Sequence, residues 1–188
     1  LLAIINKMTG ELKQYHDRLE HTVNELEVEM VERKVAIEEL EKLASTDPLT
    51  SLFNRRKFDE LLAYEVERNQ RYQANLSLIM CDIDHFKQIN DKFGHAVGDQ
   101  ALKTFSDKIT ENIREVDIFA RWGGEEFMIL MPNANIDNAR SVAEKLRKTI
   151  ENISIKTVAS LTASFGVTHY NENDTTESFI KRVDEALY

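Results

Sequence analysis

The sequence predicts an α+β fold, one central sheet with helices on its faces, preceded by a long coiled-coil helix. Three observations predict it. Residues 1–44 contain no Pro and one Gly, and repeat apolar residues in heptad steps. From residue 54 onward, stretches with helical periodicity alternate with short apolar runs. Over the 188 residues, 42% are hydrophobic, enough for the core of one ordinary domain with an appendage.

In the first segment, apolar positions recur at Leu1, Ile5, Met8, Leu12, Tyr15, Leu19, Val23, Leu26 and Met30, then at Ile37, Leu40 and Ala44, with Arg33 between. This is a heptad seam with an extra four-residue step across Tyr15, Leu19 and Val23, a stutter that locally unwinds a left-handed supercoil. A helix this long has no core of its own, so the seam predicts a parallel homodimer. Leu19, Leu26, Arg33 and Leu40 combine either with Val23, Met30, Ile37 and Ala44 or with Thr22, Glu29, Ala36 and Leu43. Two such seams predict an element that changes register and carries a signal from an upstream sensor. The opening "LLAIINKM" has neither an initiator Met nor a cap, as expected for part of a longer chain.

Pro48 disfavours the α region at Asp47 and ends the helix, which puts the domain boundary between 1–44 and 45–188. Helical periodicity resumes from Asn54 through Phe58, Leu61, Leu62, Glu65 and Val66. "NLSLIMCDID" (75–84) predicts a buried strand, and residues 85–113 predict two helices around a turn with Gly94 and Gly98. "DIFARW" and "EFMILM" predict strands flanking a Gly-Gly tip. A helix over 135–153, a strand over 159–170 and a helix over 175–188 complete the order.

The net charge of −9 argues against a non-specific nucleic-acid binder, which needs a basic footprint, though not against a nucleotide whose charge metal ions carry. A lone Cys81 excludes a disulfide framework within the chain and a Cys-cluster zinc site, so a reducing, cytoplasmic setting is expected, whether or not a parent protein is membrane-anchored. No apolar run approaches the roughly 20 residues of a membrane span, and no signal peptide is recognisable.

Chemistry concentrates at two places. Asp82 and Asp84 close the strand "LIMCDID", where a carboxylate is costly unless it is paired or holds a metal. Glu125 and Glu126 follow Gly123 and Gly124 at the hairpin tip. If the hairpin lies beside the first strand, about 4.8 Å away, Asp82 and Glu125 fall into one oxygen cluster suited to Mg²⁺. The glycines leave the backbone open to a bulky charged group. In a regular strand, Glu125 and Glu126 point to opposite faces. The same residues also fit a plain glycine hairpin with surface acids, and Trp122 is expected to be buried.

"RWGGEEF" strongly resembles the signature of the GGDEF family, the diguanylate cyclases, in its GGEEF form. "STDPLTSLFNRRKF" is similar to the family's opening motif, with Ser51 where Gly is common. "CDIDHFKQINDKFGHAVGDQAL", "TASFGV" and "KRVDEALY" match further family blocks, in order, over about residues 45–188.

The resemblance implies a palm-like sheet and a dimer that holds two GTP and joins them into cyclic di-3′,5′-GMP, releasing two pyrophosphates. It implies two Mg²⁺ per site, with Mn²⁺ as a substitute, held by the Asp82 and Glu125 carboxylates and the Ile83 carbonyl. Glu125 is also expected to take the 3′-hydroxyl proton, Glu126 to support the site and Lys87 to stabilise phosphate charge. Asn90 and Asp99 match guanine-reading positions, and Asp99 disfavours a mixed product made with ATP. His95 matches a position near the nucleotide, while Phe86, Gly123 and Gly124 bring backbone to the phosphates; the Phe86 ring itself is expected in the core. From the residues alone, Asn90 and His95 also read as turn and loop residues.

Arg114 and Asp117 resemble the family's product-inhibition RxxD set, weakly joined by Lys145; the residues alone also read as a helix-end ion pair. Family members usually continue past "DEALY" with a Lys and an Arg that hold the triphosphate, and a chain lacking them is expected to bind GTP poorly. The alternative reading is a catalytically inactive module that binds cyclic di-GMP or GTP.

Overall fold

Residues Leu2–Ser45 form a single helix, α1. The computed structural model describes residues 2–153 and 160–188, and within α1 the side chains of 8, 10, 13, 16, 18–37, 39–41, 44 and 45. Met8, Leu19, Val23, Leu26, Met30, Ile37 and Leu40 are all exposed, a row of apolar side chains without a core of its own. The remaining seam residues Leu1, Ile5, Leu12, Tyr15 and Leu43 lie outside the described side chains. The chain divides into two compact units, the first ending at Ala44 and the second spanning Ser45–Tyr188.

In the second unit the order is β1 (Phe53–Asn54), α2 (Arg55–Tyr72), β2 (Leu76–Ile83), α3 (Phe86–Phe93), α4 (His95–Thr110), β3 (Ile118–Gly123), β4 (Glu126–Pro132), α5 (Ile136–Glu151), β5 (Ala163–His169) and α6 (Thr176–Leu187). The strands form one sheet in the order β1-β3-β4-β2-β5. β1 runs parallel to β3, and the other pairings are antiparallel. Side chains of β2 alternate between two cores. Leu76, Leu78 and Met80 pack with Phe58, Leu62 and Val66 of α2 and with Phe179 and Val183 of α6. Ile79, Cys81 and Ile83 pack with α3, α4 and α5 through residues such as Ile89, Phe105 and Leu146. With both faces covered, the middle of β2, Leu78–Cys81, is apolar on both sides, and the buried Ser77 hydroxyl is satisfied by the Ala134 carbonyl.

Polar residues start the helices where N–H groups need partners. Asn54 caps α2 by accepting from the Lys57 N–H, Asn135 caps α5 by accepting from the Asn138 N–H, and Thr175 and Ser178 form a reciprocal capping box at α6. α6 lies so close to β5 that a Cβ on Gly166 would come within 2.5 Å of the Val183 carbonyl oxygen.

Three expectations change. Gly98 is inside α4 rather than in the turn; only Gly94, at φ +83°, breaks the helix. β5 starts at Ala163, where β2 ends opposite it at Ile83 and leaves no further strand to pair with; Ala159, the expected start, lies outside the described residues. Trp122 is half-buried, since a register shift between Arg121 and Gly123 makes it the extra residue of a β-bulge.

Candidate active site

β2 and β4 end side by side. Their register sets Asp82 opposite Glu126, and the Ile83 N–H donates to the Glu125 carbonyl at 3.3 Å. Glu125 itself lies in the turn ahead of β4, so strand alternation does not govern it. Asp82 shares the parity of Leu78 and Met80, and Glu126 that of Met128 and Leu130, so the facing pair lies on the α2/α6 side. Burial, then Glu125, Glu126 and Asp84, push the Asp82 carboxyl up to about 6. Glu126 is raised by burial, by Asp184 of α6 and by Glu125, against a lowering by Arg55. Asp84 accepts the Ser164 hydroxyl at 2.7 Å. The Tyr188 hydroxyl is raised first by the charge of Asp82 and then by burial and the other acids.

Among the described residues no three His, Cys, Asp or Glu side chains already form a metal cage. Mg²⁺ is ordinarily held by one or two carboxylates together with waters and substrate phosphates. An acidic cluster that lifts one of its own members to about 6 fits such a cation. Asp82, Glu125 and the Ile83 carbonyl are the donors that the fold brings to this edge.

The hairpin tip is held from behind. Arg121 donates from Nε and Nη2 to the Gly124 carbonyl at 3.0 and 2.8 Å, and from Nη1 to Asp47 at 3.1 Å. Asp47 also accepts the Thr50 N–H and hydroxyl at 2.8 and 2.7 Å. Burial raises the Asp47 carboxyl, but these bonds and Arg121 outweigh it and hold it low. One guanidinium thus ties the turn after α1 to Gly124, whose φ of +46° suits glycine.

On the opposite side of the sheet, α3 and α4 pack so that Asn90 meets Gly98, the residue before Asp99. A Cβ on Gly98 would lie 1.9 Å from the Asn90 Oδ1 and 3.3 Å from the Phe86 ring, so the bare backbone of α4 admits both. The Phe86 ring is buried, leaving its main chain for any ligand contact. Lys87, His95 and Asp99 are exposed. His85 precedes α3 at φ +58° and gives its first turn no side-chain cap.

Arg114 and Asp117 lie just ahead of β3. Asp117, buried, accepts from the Arg114 main chain at 2.9 Å and from its guanidinium at 2.5 Å, and Arg114 also reaches the Pro132 carbonyl at 3.2 Å. Lys145 donates to the nearby Asn112 carbonyl at 3.1 Å. In this state the RxxD set is a closed ion pair.

Residues 44–188 match the family model described as "Diguanylate cyclase, GGDEF domain". The chain belongs to the GGDEF family. Over its whole length this GGDEF protein is 37% identical to the diguanylate cyclase DgcP of Pseudomonas aeruginosa, and over 98% of it 34% identical to the diguanylate cyclase DgcM of Escherichia coli K12. It spans 26% and 44% of those two relatives. Among solved structures it is similar to the coiled coil and GGDEF domain of DgcB from Caulobacter crescentus in complex with c-di-GMP, with a TM-score of 0.84 and 27% identity over 90% of this chain and 92% of that one. The five-stranded sheet with flanking helices is therefore the GGDEF fold, preceded by a helix where that structure has its coiled coil.

Reading the GGDEF sequence motifs alone missed Arg121, Asp184 and Arg55. Arg121 immediately precedes "WGGEE" and Asp184 lies within "KRVDEALY", so both were within quoted motifs. Arg55 lies within "STDPLTSLFNRRKF" as well, but its seat over Trp122 exists only through the fold.

Proposed function

We propose that this chain is a diguanylate cyclase output module that condenses two GTP into cyclic di-3′,5′-GMP and two pyrophosphates. The observation that carries this reading is the carboxylate cluster on the Gly-Gly hairpin, with Asp82 facing Glu126 and raised to about 6 by its acidic neighbours. Asp99 accepts from guanine N1–H and N2–H₂, a donor pair that adenine lacks, and Asn90 completes the recognition. His95 borders the nucleotide. Lys87 donates from Nζ to a phosphate oxygen. The main chain at Phe86, Gly123 and Gly124 approaches the phosphates.

The ribose 3′-oxygen of one GTP attacks the α-phosphorus of the other, and the bond from that phosphorus to the β-phosphate oxygen breaks. The Glu125 carboxylate accepts the 3′-hydroxyl proton, and Glu126 supports it. Mg²⁺ or Mn²⁺, two per site, held by Asp82, Glu125 and the Ile83 carbonyl, would supply activation of the attacking oxygen and neutralisation of the leaving group.

Each protomer offers one GTP site, so turnover needs two chains face to face. The exposed seam of α1 supports a parallel homodimer whose geometry an upstream sensor sets. Product binding at Arg114 and Asp117, with Lys145 alongside, would supply feedback inhibition, the guanidinium gripping phosphate or the guanine edge. Among the described residues no helix is long and apolar enough to cross a membrane.

The test is incubation of the purified chain with Mg²⁺ and GTP, with products identified by chromatography and mass spectrometry. Cyclic di-GMP from the parent and none from Glu125→Gln supports the reading. GTP or cyclic di-GMP binding with no product from the parent overturns it in favour of a binding module.

A further inference from the structure

A cleft of about 610 Å³ opens on the α2/α6 side of the sheet, lined by Asp59, Met80, Glu126 and Asp184, with Arg55 and Trp122. The guanine-reading positions belong to α3 and α4, on the other face. Glu126 belongs to the cleft and faces Asp82 across the end of the sheet.

Arg55 is held in this cleft by two devices. Its guanidinium stacks over Trp122, 4.2 Å from the ring centroid, and Trp122 in turn stands edge-on to the fully buried Phe58 at 5.7 Å and 83°. Its backbone is the first residue of α2, directly after the Asn54 cap. A half-buried Trp122 braced on the buried Phe58, together with a capped helix start, thus holds the Arg55 guanidinium beside a group of acids. Arg55 shares the cleft with Glu126, Asp184 and Asp59, and lowers both Glu126 and Asp59 against their other influences; Lys181, the second cation lining the cleft, pairs with Glu185 at 3.5 Å.

We propose that Arg55 is a positioning residue of the metal centre, held on Trp122 so that it draws Glu126 toward the α2/α6 cleft and competes with a divalent ion for that carboxylate. Asp82 and Glu125 are then left as the dominant metal ligands, and metal loading is coupled to the seat of Arg55 on α2. This rests on the reading of Asp82, Ile83 and Glu125 as metal donors.

Trp122 is the only tryptophan in the chain and adjoins the cluster, so Tb³⁺ bound there is detectable by tryptophan-sensitised luminescence. The full chain is titrated with Tb³⁺ alone and then displaced with Mg²⁺, with affinity taken from the midpoint rather than the amplitude. Asp82→Asn is expected to weaken binding at least about tenfold. Arg55→Gln is expected to tighten it about three- to tenfold, as loss of one nearby like charge does, while Arg55→Lys stays near the parent. In a Glu126→Gln background, the gain from Arg55→Gln is expected to vanish.

An Arg55→Gln midpoint within twofold of the parent, or weaker, with Asp82→Asn still impaired, overturns the proposal and leaves the metal reading standing. A gain that persists without Glu126 also overturns it, since Arg55 would then act through bulk charge. An Asp82→Asn chain that binds Tb³⁺ like the parent sinks the metal reading itself, and the role of Arg55 with it.

Discussion

Asp82 ends β2 under burial and the charges of Glu125, Glu126 and Asp84, which lift its pKa from 3.8 to about 6. Between these values the folded chain holds more protons than the unfolded one, so metal-free stability falls as pH rises through that window. At neutral pH the fold therefore carries an unfavourable charge, kept for chemistry. Asp82→Asn removes it. Thermal melts in chelator at pH 7 should show a rise of about 2–4 °C, the effect of about 1 kcal/mol for a carboxylate that solvent still reaches, while cyclase activity is lost. In the parent, activity at fixed Mg²⁺ should fall as pH drops through 6, and added Mg²⁺ should restore part of it.

Two other residues give opposite outcomes from small changes. A methyl group on Gly98 would occupy the place of the Asn90 Oδ1. Gly98→Ala should raise the KM for GTP about tenfold, through loss of a hydrogen-bonding partner, while kcat and melting temperature barely move. Ser51 stands at φ +60°, where an L-residue is strained. Ser51→Gly should stabilise the chain by about 1 kcal/mol, readable as a higher denaturant midpoint at constant m.

At the scale of elements, the packing of α6 on β5 is least tolerant at Gly166, where an added Cβ meets the backbone at Val183 and Leu187 and cannot be relieved by a rotamer change. Gly166→Ala should cost about 1–3 kcal/mol in chemical unfolding. It should also disturb the site, because α6 carries Asp184 to Glu126. Much of this architecture was legible beforehand, because α1, α2, β2, α5 and α6 are long enough to display a period. β1 was not, since Phe53 and Asn54 are too few to show alternation and their strand exists only through pairing with Ala120 and Arg121. Gly98 was read as a turn residue because glycine disfavours helices, whereas close approach of Asn90 outweighs propensity there. The carboxylates of the site were legible from "CDID" and "GGEE". That Asp82 faces Glu126 was not, because β2 and β4 are far apart in the chain and no short turn between them fixes their register.

For the whole molecule, the two units divide labour. α1 exposes Leu19, Val23, Leu26 and Met30, while the second unit buries two cores, one on each face of its sheet. A charge in the seam should therefore separate assembly from folding. Leu26→Asp with Met30→Asp should lower specific activity at least about tenfold and make it depend on protein concentration. The melting of the Ser45–Tyr188 unit should be unchanged; sedimentation velocity alongside the product assay checks both.

β2 lies at the middle of the sheet, yet both strands that flank it, β4 and β5, come much later in the chain. A ribosome delivers the chain from its N-terminus at about 5–20 residues per second, so the most apolar strand waits for seconds with both hydrogen-bonding edges open. Long-range antiparallel closure of this kind is slow, on the scale of milliseconds to seconds even in the finished chain. Every half-made copy therefore lacks the edge on which Asp82 meets Glu126 and is prone to aggregate until the last strand has closed on the sheet.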